Sequence, residues 1–164
     1  MWVNSDHAGD KVTRQSRTGY FIFLNTVLIN WISKNQVTIE GSVFGSEFVA
    51  MNTGIEALRG IRYKLRMMGV PLNGPTYVYR DNMSVIYNTP RPESTIEKKS
   101  NFICYHAVRE AVASGECLTT HCKTGDNYSD MMTKLLYGKK KRDNVSRTHY
   151  DIWDHEDGPD PAKE

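Results

Sequence analysis

Hydrophobic and polar positions along the chain follow two different periods, which together predict a mixed α/β fold. Short apolar segments that are rich in β-branched and aromatic residues are typical of strands. Such segments occur at residues 2–5, 18–24, 27–33, 75–82 and 117–123. Only Asn25 and Thr26 separate the second segment from the third, so residues 18–33 predict a β-hairpin.

Apolar residues at steps of three and four predict the helices. The longest such pattern covers residues 47–68, and the Gly-Val-Pro sequence at 69–71 predicts its end. Helical spacing resumes at 103–112, and a last helix capped by Asp126 is expected over 126–136. A hairpin that is followed by strand–helix–strand units predicts a mixed sheet covered by helices.

The composition fits one globular domain with a short extension. The chain has 164 residues, of which 39% are hydrophobic and 24% are charged. Its net charge is +2, but residues 143–164 hold seven acidic and two basic residues. This tail therefore carries −5 and leaves +7 on residues 1–142. A basic body with an acidic tail is compatible with nucleic-acid contact.

Cysteine usage and hydropathy bear on the compartment. The three cysteines, Cys104, Cys117 and Cys122, are odd in number and lack CxxC spacing, which favours a reducing environment over a disulfide framework. No apolar segment is long enough to span a membrane, and no cleavable leader is visible. We therefore expect an intracellular protein without a membrane partner, with cytoplasm, nucleus and organelle left open.

Four acidic residues lie where such a fold could gather them. Asp6 follows the first strand, Glu47 opens the long helix and Asp81 ends the fourth strand. Asp130 lies in the first turns of the last predicted helix. Clustered carboxylates repel one another unless cations lie between them, and they are the natural ligands of one or two Mg²⁺ ions that catalyse phosphodiester hydrolysis. The spacing alone is equally compatible with solvated acids at helix starts and strand ends.

The chain resembles the RNase H domain of copia-type (Ty1/copia) retrotransposon polyproteins. The resemblance covers residues 3 to about 137 and rests on six segments in the same order. These are "SDHAGDKVTRQSRTGYFIFLN", "WISKNQ", "SVFGSEFVAM", "RDNMSVI", "KKSNFICYHAVRE" and "TGDNYSDMMTK". It implies an RNase H-like fold with a five-stranded mixed sheet over residues 1–137, and a basic then acidic, partly helical extension over 138–164. It also implies an ancestral Mg²⁺-dependent cleavage of RNA in RNA/DNA hybrids.

The family's site residues transfer only in part. Its glutamate falls on Glu47, its second aspartate on Asp81, and its last aspartate on Asp130, where Ser129 replaces the usual alanine. Its first aspartate falls on Asn4, which keeps the shape of the ligand but removes a negative charge.

Two neighbouring positions qualify this transfer. Asp6 shares a strand face with Asn4 and is a candidate to replace the lost metal ligand. Arg80 stands where the family has a small residue or cysteine. As the strand neighbour of Asp81 it is expected to point away from the site.

These features lead to one expected function and two alternatives. The first is a retrotransposon-derived domain with an impaired metal site, acting as an RNA-binding or structural subunit of a ribonucleoprotein with protein partners; a ribosome-type assembly is one candidate. Met1 at the start of the first strand favours a free-standing copy. The alternatives are an active RNase H that uses Mg²⁺, and a protein–protein scaffold.

Basic side chains would contact the phosphates and 2′-hydroxyls of RNA or of an RNA/DNA hybrid. The candidates are Lys11, Arg14, Arg17, Arg91, Lys98, Lys99, Lys139, Lys140, Lys141 and Arg142. The charge is most concentrated at residues 98–99 and 139–142, which makes these the favoured contacts.

Overall fold

The fold is built on one five-stranded sheet, and it confirms the mixed α/β class. A computed structural model describes residues 1–89 and 102–149, without the side chains of residues 140, 141, 147 and 149. The strands are β1 (Trp2–Asp6), β2 (Arg17–Leu24), β3 (Val27–Asn35), β4 (Thr76–Arg80) and β5 (Cys117–His121), as the sequence predicts. Their order across the sheet is β3-β2-β1-β4-β5. The first three strands pair antiparallel, and β4 and β5 continue the sheet in parallel with β1.

Five helices accompany this sheet in the described residues. They are α1 (Val43–Met67), α2 (Met83–Asn88), α3 (Phe102–Ala113), α4 (Asp130–Thr133) and α5 (Gly138–His149). The long helix α1 begins four residues earlier than predicted, because the Ser42 hydroxyl accepts a hydrogen bond from the Gly45 amide at 3.1 Å. Glu47 therefore lies in the second turn of α1 and does not open it.

The helix expected over 126–136 is the clearest error of the sequence reading. Residues 124–126 form a single 3₁₀ turn, and only residues 130–133 are α-helical. The buried Asn127 side chain accepts hydrogen bonds from the amide and the hydroxyl of Ser129, at 3.2 and 2.5 Å. These local bonds compete with helical pairing and divide the segment into two turns.

Helix α1 covers one face of the sheet and forms the core with it. Phe48, Met51 and Ile55 from the helix pack with Val3 and Val78 from the strands, and all five are essentially inaccessible to solvent. Because side chains alternate along a strand, Val3 and Ser5 face α1, whereas Asn4 faces the opposite side.

Helix α4 lies on that opposite side, close to the backbone of β2. A Cβ atom at Gly19 would lie 2.6 Å from the Cβ of Met132 and 2.8 Å from the Cγ2 of Thr133. Only glycine permits this approach, which brings Asp130, the first residue of α4, over β1.

Within residues 1–89 and 102–149, none of the helices combines the length and the apolar character that crossing a membrane requires.

Candidate functional site

The candidate site lies at the edge of the sheet where β1 and β4 end. Trp2 of β1 is level with Tyr79 of β4 in the parallel pairing, so Asn4 comes level with Asp81, the residue that follows β4. Asp130 reaches the same edge from α4. The fold therefore brings three of the four family positions to neighbouring points, and α1 adds the fourth, Glu47, from the other face of the sheet.

Asn4 binds Asp130 directly. The Asn4 amide nitrogen Nδ2 donates to Asp130 Oδ1 at 2.5 Å and to Thr133 Oγ1 at 3.2 Å. The Lys134 ammonium forms an ion pair with the same Asp130 oxygen at 2.8 Å. Asn4 and Asp130 are almost fully buried, at 2% and 1% exposure. The Asp130 carboxylate therefore has an amide donor and a cation from the protein itself.

Glu47 is paired with Arg80, a residue that strand alternation alone did not require to enter the site. The Arg80 guanidinium Nη2 donates to Glu47 Oε2, and Nη1 lies 2.8 Å from the sulfur of Met51. Strand alternation does turn Arg80 away from the Asn4 face, as expected. Arg80 nevertheless reaches a residue of the site, because Glu47 approaches from α1, on the face to which Arg80 points.

Burial and charge act in opposite directions on Glu47. Burial raises the pKa of Glu47 above its usual range, and the Asp81 carboxylate acts in the same direction. The Arg80 guanidinium and the Ser5 amide lower that pKa and favour the ionised form. The contact with Ser5 places the Glu47 carboxylate beside the backbone of the residue that follows Asn4.

Asp81 lies near the thiol of Cys122 at the same edge. Burial, followed by the charges of Asp81, Asp126 and Asp130, raises the pKa of Cys122 to about 12. The Cys122 thiol therefore stays protonated at neutral pH. Within the described chain, Asp81 has neither a hydrogen bond nor an ion pair.

Asp6 has a local role in the β1–β2 connection. Its carboxylate Oδ1 accepts a hydrogen bond from the Arg17 amide, and its other oxygen lies against Gly9. The side chain therefore joins the two ends of the connection, and no described contact links it to Glu47, Asp81 or Asp130.

The RNase H family implies a Mg²⁺ centre at this edge, and the donor set as arranged does not fit one. Mg²⁺ requires anionic or carbonyl oxygens that are free to turn toward it. Here Asn4 directs its amide nitrogen to Asp130, Lys134 neutralises Asp130, and Arg80 neutralises Glu47. Among residues 1–89 and 102–149, no three His, Cys, Asp or Glu side chains are grouped so that they could hold a metal ion.

The basic residues predicted to bind nucleic acid fall into three groups. Lys11, Arg14 and Arg17 are exposed on and beside the β1–β2 connection, and Lys139 and Arg142 are exposed on α5. For Lys140 and Lys141 the structure describes only the helical backbone. Arg91, Lys98 and Lys99 lie outside the described residues.

Sequence reasoning did not connect Lys134 or Arg80 with the acids of the site. Lys134 follows Asp130 by four residues, a spacing that predicts an ion pair within a helix, so this signal was present. Lys134 also lines, together with Arg17, a cavity of about 370 Å³ beside the β1–β2 connection. The pairing of Arg80 with Glu47 had no local signal, because it depends on how α1 packs on the sheet.

The strand order and the helix on each side of the sheet define an RNase H-like fold. Among solved structures, the chain matches LC11-RNase H1, an enzyme isolated from compost by a metagenomic approach, with a TM-score of 0.57. The match covers 80% of this chain and 90% of that one at 14% identity, and it therefore shows the fold alone.

The chain also has relatives in sequence. Over 82% of its length the chain is similar to retrovirus-related Pol polyproteins from transposons RE1 and RE2 of Arabidopsis thaliana, at 31% and 30% identity. The corresponding polyprotein from transposon TNT 1-94 of Nicotiana tabacum is 28% identical. No family model matches the chain. The homologues of this chain are therefore Pol polyproteins of copia-type retrotransposons, and the chain spans about a tenth of their length.

Proposed function

We propose that this chain is a retrotransposon-derived RNase H-like domain that binds RNA or RNA/DNA hybrid without cutting it, as a subunit of a ribonucleoprotein. The fold and the Pol relatives support the ancestry and the class of ligand. The proposed loss of cutting depends on the metal site, which in the family requires an anionic ligand at the position of Asn4.

The observation that carries the proposal is the contact between Asn4 and Asp130. A pair of aspartates at 2.5 Å would need a cation between them, because two buried carboxylates cannot both ionise at that distance. Asn4 removes this need by donating an N–H group. The same contact turns the amide nitrogen, which cannot bind a metal, toward the centre of the site.

The proposed nucleic-acid surface lies on the β1–β2 connection and on α5. Lys11 and Arg14 are exposed and carry positive charge next to the site edge, and Lys139 and Arg142 add charge on the helix. Contacts of this kind bind phosphates with little dependence on sequence and weaken as salt rises.

Binding and cutting are tested together with a labelled RNA/DNA hybrid. The natural protein is compared with K11Q/R14Q, and with K64Q/R66Q, which removes the same charge from the exposed last turn of α1. Fluorescence anisotropy at several KCl concentrations gives the affinity and its salt slope. K11Q/R14Q is expected to weaken binding and to reduce the slope by about one for each lost phosphate contact, and K64Q/R66Q is expected to leave both unchanged.

Three results would contradict the proposal. Cleavage of the hybrid by the natural protein, absent in D81N, would establish an active RNase H. Equal effects of the two double variants on hybrid affinity would show that the β1–β2 connection is not part of the interface. Absence of salt-dependent binding to either nucleic acid would favour the scaffold alternative.

A further inference from the structure

Arg80 is a fully buried cation inserted between β4 and α1. Its side chain has no exposed surface, and it lies across Glu47 and Met51, which stand one turn apart on the face of α1 that meets the sheet. The guanidinium reaches the Glu47 carboxylate, the Glu47 carbonyl oxygen at 3.4 Å and the Met51 sulfur at 2.8 Å. Its third nitrogen, Nε, has no hydrogen-bond partner among the described residues.

This environment requires an anion beside Arg80. A guanidinium remains charged under all conditions in which proteins fold, and an unpaired buried charge is strongly unfavourable. Of the three described groups that Arg80 touches, only the Glu47 carboxylate can supply a full negative charge. The requirement is mutual, because Glu47 is itself 4% exposed and Arg80 is the cation that its carboxylate contacts.

We propose that Arg80 is a resident cation which takes the place of a divalent metal ion at the Glu47 carboxylate. The inference rests on the proposed loss of the metal site and extends it to a second position, independent of Asn4. Arg80 neutralises the carboxylate from the α1 side and occupies the space next to it. Restoring an aspartate at Asn4 alone would therefore leave Glu47 unavailable to a metal.

The proposal predicts that the effect of Glu47→Gln on stability changes sign with the residue at position 80. In the natural background, E47Q leaves the guanidinium without its anion and should raise the unfolding equilibrium constant at least tenfold. R80M should raise that constant more than 100-fold, because it leaves a buried carboxylate unpaired. In the R80M background, E47Q removes this carboxylate charge and should lower the unfolding equilibrium constant at least tenfold.

The experiment is urea unfolding of the full chain as the natural protein, E47Q, R80M and E47Q/R80M. R62M is the control, because Arg62 is also buried but donates to neutral oxygens, Thr76 Oγ1 at 2.9 Å and the Gly74 carbonyl at 3.0 Å. E47Q should lower the free energy of unfolding by the same amount in the R62M background as in the natural protein. Each protein is also melted with MnCl₂ and with EDTA. Mn²⁺ should raise the Tm of R80M and should leave the Tm of the other proteins unchanged.

Two outcomes overturn the proposal. The first is a rise of less than threefold in the unfolding equilibrium constant when E47Q is made in the natural background. This comparison holds even if both R80M forms fail to fold. The second is a rise in the Tm of the natural protein with Mn²⁺ that E47Q abolishes. Both readouts are stabilities, so they are separate from the hybrid-binding test: failure to bind a hybrid leaves them unaffected, and their failure leaves binding unaffected.

Discussion

Asn4→Asp is the substitution that most directly probes the contact between β1 and α4. It places a second carboxyl 2.5 Å from Asp130 Oδ1 in a site with 1–2% exposure. Lys134 pairs with Asp130 Oδ1 and offsets one of the two charges. We therefore expect the new carboxyl to stay protonated in the folded protein at neutral pH.

The cost follows from proton linkage. A carboxyl that must remain protonated when folded costs about 1.4 kcal/mol for each pH unit above the ordinary aspartate pKa of about 3.9. This gives about 4 kcal/mol at pH 7 and about 1.5 kcal/mol at pH 5. The pKa of the new carboxyl is higher in the folded than in the unfolded protein. N4D therefore retains its stability at low pH and loses it as the pH rises.

The assay is urea unfolding of N4D at pH 5 and pH 7. N35D is the matched control, since Asn35 accepts a hydrogen bond from Arg17 Nε at 3.1 Å and an aspartate keeps that bond. Mg²⁺ is not expected to restore N4D, because Arg80 still holds Glu47. A loss below about 1 kcal/mol at pH 7, or one that does not change with pH, would refute the contact.

The remaining predictions concern the backbone and the thiols. Gly19→Ala should lower the free energy of unfolding by about 2–3 kcal/mol, because the new methyl group overlaps Met132; equal urea midpoints would show that α4 is farther from β2. Ala8→Gly should raise it by up to about 1 kcal/mol, because Ala8 has a positive φ of 51°, whereas a decrease would mean that this conformation is not strained. Burial raises the pKa of Cys117 to about 11 and that of Cys122 to about 12, so alkylation of both should be at least about 100-fold slower than that of a free thiol at pH 8 and should accelerate in urea. Rapid modification of Cys122 in the folded protein would contradict the burial that raises its pKa.

Periodicity was sufficient for the sheet, because each strand carries its own apolar signal. The hairpin of β2 and β3 and the parallel strands β4 and β5 were all predicted from such local patterns. The start of α1 was missed because its N-terminus depends on the hydroxyl of Ser42, which lies before the first apolar position. Residues 126–136 have helical spacing, but the Asn127 side chain competes for the local hydrogen bonds.

In the candidate site too, some features could be predicted from local sequence and others could not. The positions of Glu47, Asp81 and Asp130 could be assigned from short motifs, because a motif fixes where a residue lies along its strand or helix. The partners of these residues could not, because they come from elements far apart in sequence. Arg80 and Glu47 are 33 residues apart, and Asn4 and Asp130 are 126 apart. Strand alternation gave the correct face for Arg80, but only the packing of α1 shows what lies there.

We propose that this RNase H-like domain binds a hybrid without cutting it. Its most direct test is incubation of a labelled RNA/DNA hybrid with excess natural protein, in Mg²⁺ and separately in Mn²⁺, with D81N in parallel. We expect a bound hybrid whose RNA strand stays intact in both metals and is indistinguishable from that in the D81N sample. RNA cleavage by the natural protein that D81N abolishes would contradict it.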